Sequence, residues 1–366
     1  MSEQFIPGIQ PLQQFMEDGS FLMPEIPAVY RVAQALGAPE AFDYDYLLSL
    51  SGMAVRLAWQ PGWAEYAQLP NQGVFYNQDG RDIVEIALER MGARYVRKAL
   101  ADVGPDTAKR DIQASIGRGV PVLIQEPCVY AAVLGYRGDT LYGVSTFAEA
   151  DKRLAPYGYN AFDTWQDETK SYLLIESFTP RPMDESLLRE VLQTAVHQAR
   201  TARLARLGGA ALGVSAFDAL AELLVWDEGF APLVPGSRYE GELSFPYRRP
   251  GGYYRTDGAR TLDQRFWAGY CDFLCMLNGY ENFSRFLTRY AGVRLGWTEP
   301  LLEAADDYLH ACEASGALWR YVTPDAGGAA RFKEPEVRYA FAAHMLRAKI
   351  YTLRAVELLE QCLAEA

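Results

Sequence analysis

The chain has 366 residues, of which 49% are hydrophobic and 22% charged, an ordinary globular balance that excludes disordered and fibrous classes. Its 47 acidic and 35 basic residues leave a formal net charge of −12, which repels a phosphate backbone and excludes nucleic acid as a partner. Length alone predicts two domains, because a single core stops growing beyond roughly 250–300 residues.

The five cysteines, Cys128, Cys271, Cys275, Cys312 and Cys362, lack the paired short spacings of a zinc site or a disulfide scaffold. The opening MSEQFIPGIQPLQQF has no basic segment followed by an apolar run, and no stretch reaches the roughly 20 apolar residues of a membrane helix. The expectation is a cytoplasmic protein with no membrane partner and no metal or other cofactor.

In chain order, apolar residues at Ile26, Val29, Tyr30, Ala33 and Leu36 predict a first helix closed by Gly37. Asp43 to Leu50 reads as a short helix, and the alternation across Ala54 to Trp59 reads as a strand. Arg81 to Met91 is helical by period, with Asp79 as its expected cap and Gly92 as its stop. Pro105 to Ile116 repeats that plan up to Gly117 and Gly119. The runs PVLIQEP, YAAVLGY, TLYGVSTF and SYLLIES follow as strands of a small, mostly antiparallel sheet, the middle two joined by Arg137, Gly138 and Asp139.

At TPRPMDES, from Thr179, the pattern changes to long helical periods. This predicts an α+β chain with an α/β domain over 1–178 and an all-helical domain over 183–366. Helices are expected at 184–207, 215–226, 262–290 (broken or bent at Asn278-Gly279), 300–322 and 335–366. The Gly-, Pro- and aromatic-rich segment 229–260 reads either as a functional lid or as a connector whose aromatics pack on helices beneath. Arg200, Arg203 and Arg206 fall at helical spacing and read as a solvated helix face, with a phosphate contact as the alternative.

The order of a helix, LSGMAVRLAW, two further helices, GRGVPVLIQEP and VLGYRGDTLYGVS resembles the papain-like domain of bacteriocin-processing cysteine peptidases. It is most similar to the N-terminal domain of the butirosin-biosynthesis acyltransferase group. The stretch LLEAADDYLHACEASGALWRYV at 301–322 resembles that group's helical C-terminal domain. The resemblance implies a papain-like fold with a cleft between the first helix and the sheet.

A papain-like site needs a thiolate at the head of the first helix, where helix dipole and imidazolium lower its pKa, and a histidine on a nearby strand. In the matching stretch, Asp18-Gly19-Ser20-Phe21, glycine stands where the cysteine is expected. No cysteine precedes Cys128 and no histidine precedes His197, so no catalytic residue is assigned. Ser20 reads as a helix cap, and Cys128, after the strand PVLIQEP, as a packed thiol. His197, His310 and His344 fall on separate expected helices without a ligand-spaced companion.

The resemblance implies that Gly19, Ser20, Glu25, Trp59, Trp63, Cys128 and Tyr130 line the cleft, a set of aromatics with a few polar groups that suits a small molecule or peptide. The other reading of Trp59 and Trp63 is core filling. Three functions are therefore open: a non-catalytic ligand binder, an acyl- or amide-transfer enzyme of the butirosin type rebuilt around Cys128 with Glu126 or with a histidine of the second domain, and a structural protein forming homo-oligomers.

Overall fold

A computed structural model describes residues 3–9, 25–59, 77, 79–126, 130–145, 157–204, 210–226, 272–322 and 328–365. In chain order the elements are β1 (Glu3–Phe5), α1 (Glu25–Ala35), α2 (Tyr44–Ser51), a 3-10 turn (Met53–Val55), β2 (Ala58–Trp59), α3 (Ile83–Met91), β3 (Ala93–Ala99), α4 (Leu100–Val103), α5 (Pro105–Gly117), β4 (Val122–Gln125), β5 (Tyr130–Arg137), β6 (Thr140–Val144), β7 (Asn160–Phe162), α6 (Trp165–Glu168) and β8 (Ser171–Phe178). There follow α7 (Glu185–Arg200), β9 (Arg203–Leu204), β10 (Ala210–Leu212), α8 (Val214–Leu224), α9 (Asp272–Tyr290), α10 (Thr298–Val322) and α11 (Pro335–Ala364).

The chain is thus α+β, with an antiparallel sheet and a helical C-terminal region. Its contacts define two compact units, one of residues 1–51 and 81–182, the other of 52–80 and 183–366. The chain passes from one to the other at Pro182 and Met183, close to the composition change at Thr179, while 52–80 groups with the later residues instead of with the sheet.

In the first unit the strands run β3-β8-β4-β5-β6-β7, and β1 adds to β5. Every pairing among them is antiparallel. Strand β4 is buried along its whole length, as a central strand covered on both faces must be. Val122 and Ile124 pack into the cluster formed with Ala108, Ile112 and Ile116 of α5. The two-residue strand period turns Leu123 to the opposite face, and α1 packs against β4 and β5. Gly92 ends α3 in the left-handed conformation, φ 98°, and a Cβ there would meet the Thr179 carbonyl at 1.9 Å. Only glycine fits where β3 starts beside the end of β8.

In the second unit, α10 packs on α9 and α11, and α7 and α8 pack on α11. Its core is aromatic: Tyr308 takes the edges of Tyr280 and Phe283 at centroid distances of 4.9 and 5.2 Å. The buried Arg338 guanidinium donates to the carbonyls of Leu224 and Phe332, giving partners to carbonyls at the end of α8 and before α11.

Several expectations are corrected. The region after 183 is not all helical: β9 and β10 form a three-stranded antiparallel sheet with β2, pairing Ala211 with Trp59. The strand expected over 54–59 is a 3-10 turn followed by a two-residue strand. Helix α3 begins at Ile83, because Asp82 and not Asp79 accepts the Val84 amide. Helix α7 stops at Arg200, since the chain must turn into β9. Helix α9 runs through Asn278-Gly279 without a break. Gly279 instead allows close approach, its missing Cβ leaving room for the Ala54 carbonyl. The segment 229–260 lies outside the described residues.

Candidate functional site

Among the described residues of the first unit, a dense polar cluster lies where α3, β3, β4, β5 and β8 meet, and Arg97 of β3 is its centre. Its Nε donates to Glu85 at 2.6 Å. Nη1 donates to Gln125 Oε1 at 2.9 Å and to Ser171 Oγ at 2.8 Å. Nη2 donates to Asp82 Oδ2 at 2.5 Å and to the Tyr130 hydroxyl at 2.6 Å. All five N–H groups of a guanidinium are thereby engaged.

The two halves of the fork repeat one arrangement. On one side the Tyr130 hydroxyl accepts from Arg97 and donates to Asp82 at 2.5 Å. On the other the Ser171 hydroxyl accepts from Arg97 and donates to Gln125 at 2.8 Å. Each hydroxyl polarises the next bond in its ring, which strengthens both in a region of low dielectric.

Sequence explains why these groups converge. Asp82 caps α3 with one oxygen, taking the Val84 amide at 2.9 Å, and turns the other inward. Strand pairing sets Gln125 opposite both Ser171 and Tyr130. Burial raises the Asp82 carboxyl above its ordinary value, against the opposing pull of Tyr130 and Arg97. Burial and the adjacent Asp82 hold the Tyr130 phenol far above its usual range. For Arg97 burial acts to lower the pKa, but Tyr130, Asp82 and Glu85 together outweigh it and the guanidinium stays charged. The cluster is therefore a charged, internally saturated clasp that ties α3 to four strands, with no donor of Arg97 left over for an incoming anion.

Of the seven residues expected to line a cleft, Gly19, Ser20, Trp63 and Cys128 lie outside the described residues. Glu25 is the first residue of α1. Tyr130 begins β5 in the first unit, fully buried, with its hydroxyl engaged as above. Trp59 ends β2 in the second unit and is 3% exposed. Glu126, next to the clasp residue Gln125, is buried.

Asp82, Glu85, Arg97, Gln125 and Ser171 were not candidates from sequence. The available signal was the polar Gln125 closing an otherwise apolar central strand, since a buried amide needs partners. Arg97 gave none, sitting in the charged run ARYVRKA.

The histidines do not gather. His197 Nε2 is 3.1 Å from Asp79 Oδ1 on an exposed surface, His310 bonds the Asp306 carbonyl one turn back, and burial lowers the His344 pKa. Among the described residues no three His, Cys, Asp or Glu side chains converge to hold a metal ion. Arg200, read as part of a solvated basic face, makes a two-pronged pair with Glu360 at 2.9 and 2.7 Å, and Arg206 lies outside the described residues. Burial raises the Cys362 thiol to about 11, so it is protonated at neutral pH. Among the described residues no helix is long and apolar enough to cross a membrane.

No family model matches the chain, and no curated protein matches it.

Proposed function

We propose that the chain is a non-catalytic protein on a papain-like scaffold that binds a small molecule or a peptide. One observation carries the reading: the region that would supply a thiolate and an imidazole contains no cysteine before Cys128 and no histidine at all. The polar clasp supports it, because Asp82, Arg97 and Tyr130 are hydrogen-bonded to one another and Tyr130 and Asp82 are both buried. A buried carboxylate and phenol tied to a partly exposed guanidinium hold a fold in place.

The test is a thermal-shift screen of the full chain against amino acids, short peptides and small organic acids. Compounds that raise the melting temperature should lose their effect in Trp63→Ala and in Trp59→Ala or the milder Trp59→Phe. Full retention in these variants rejects the two tryptophans as ligand contacts. Rapid iodoacetamide labelling of Cys128, together with acyl transfer abolished by Cys128→Ala, would replace this reading with an enzyme of the butirosin type.

A further inference from the structure

Strand β3 ends the sheet of the first unit, with β8 as its strand neighbour. The Leu100 amide donates to the Lys170 carbonyl at 2.9 Å, so the alternating bonds of an antiparallel ladder make Lys98 and Val96 the residues that bond β8. Tyr95 and Arg97 therefore turn both amide and carbonyl to the opposite side, and Ala99 turns its amide there. Among the described residues of the first unit, no hydrogen bond reaches these outward groups. A row of unpaired main-chain donors and acceptors is a template for one more strand.

The side chains along this edge define what the added strand must carry. The strand period puts Arg94, Val96 and Lys98 on one face. Arg94 is exposed and has no ion pair among the described residues, Val96 is 37% exposed, and Asp111 holds the Lys98 ammonium at 2.7 Å. Towards an incoming antiparallel strand these three take the positions without main-chain bonds, where facing side chains come closest. A second copy of β3 fits poorly: antiparallel self-pairing over the whole strand sets Arg94 against Lys98 twice, and like charges directly opposite destabilise. A peptide with an apolar residue facing Val96 and a carboxylate facing Arg94 satisfies both. Because its direction is reversed, the apolar residue precedes the acid by two positions.

We propose that the outer edge of β3 is a strand-addition site for an extended peptide of the pattern apolar-x-acidic, held by main-chain bonds to Tyr95, Arg97 and Ala99 and selected by Val96 and Arg94. The site uses neither tryptophan of the ligand-binding reading, so the two stand or fall separately.

Fluorescence anisotropy of a labelled, end-blocked peptide Thr-Thr-Val-Thr-Glu-Thr, titrated with the full chain, tests it. The expected result is saturable binding that is lost when the two threonines flanking the valine are N-methylated, since their amides are the ones that face β3. Lysine in place of the peptide's glutamate should weaken binding about threefold or more, and Arg94→Glu, with unchanged circular dichroism, should reverse that preference. Ala99→Pro should also weaken binding: it removes an outward amide at φ −78°, which proline accepts, so the fold is kept. Absence of binding, binding indifferent to N-methylation, or a charge preference that does not follow position 94 overturns the proposal.

Discussion

The Tyr130 hydroxyl lies 2.5 Å from the Asp82 carboxylate, joining the first residue of β5 to the cap of α3 across 48 positions of sequence. Both groups are buried, and Arg97 donates to each from a single nitrogen. Removing either partner therefore strands a polar atom away from water.

Tyr130→Phe deletes the bridging hydroxyl and leaves Asp82 with Arg97 and the Val84 amide. A cost of about 1–3 kcal/mol is expected, the range for a buried partner left unsatisfied. Arg97→Met removes the cation and should cost more, about 3–5 kcal/mol, since it leaves two carboxylates without their counter-charge. Urea unfolding followed by circular dichroism measures both. Equal, sub-kilocalorie losses in the two variants would mean that the clasp adds little to folding.

Asp307 supplies a pH signature from the second unit. It is buried on α10, its Oδ2 has no hydrogen-bond partner among the described residues, and Arg354 reaches Oδ1 at 3.4 Å. Burial raises its pKa; Arg354 and His310 oppose that, while Asp306 and Glu303 add to it. The native state then holds a proton more tightly than the unfolded chain. Its contribution is full below the ordinary aspartate value of 3.8 and is lost as pH rises through the raised native value. Asp307→Asn should match the parent at pH 3 and exceed it at pH 7 in melting temperature. A variant less stable than the parent at pH 7 would show that the Arg354 pair outweighs desolvation.

The Arg200–Glu360 pair gives a contrasting case. Its geometry is two-pronged, and the hydrogen bonds from Arg200 hold the Glu360 carboxyl below its ordinary value. Each side chain is about two-fifths exposed, so water and salt screen the attraction. The contribution is present above the ordinary glutamate value and fades as pH falls through the lowered native one. Arg200→Ala should cost less than about 1 kcal/mol, and the loss should shrink in 1 M salt.

How far the sequence foretold these features depended on what each signal was made of. The strands β4, β5, β6 and β8 were visible as apolar runs, because burial on both faces leaves a continuous hydrophobic signature. Helices α5 and α8 were visible through their amphipathic period. Strand β3 was not, because ARYVRKA lies at the end of the sheet and carries charges on both faces, Arg97 inward to the clasp and Arg94 exposed. The clasp itself is built from residues 82 to 171, and only strand register, invisible in a single sequence, brings Ser171 opposite Gln125. Asp79 was the expected cap; the Val84 amide is taken instead by Asp82, whose other oxygen reaches Arg97.

Gly279 shows the same limit from the other side, and it yields the sharpest substitution. Asn-Gly reads locally as a breaker, yet α9 continues through it because packing of α9 against the 3-10 turn at 53–55 overrides a propensity cost of about 1 kcal/mol. A Cβ at 279 would lie 2.5 Å from the Ala54 carbonyl oxygen and 3.1 Å from its carbon, and both are backbone atoms that cannot rotate away. Gly279→Ala improves intrinsic helix propensity, so a position governed by the helix alone would gain stability. The contact predicts the reverse, a net loss of about 1–3 kcal/mol from overpacking. Thermal unfolding of Gly279→Ala decides between them: a raised melting temperature would mean that α9 and the 53–55 turn are not in close contact in solution.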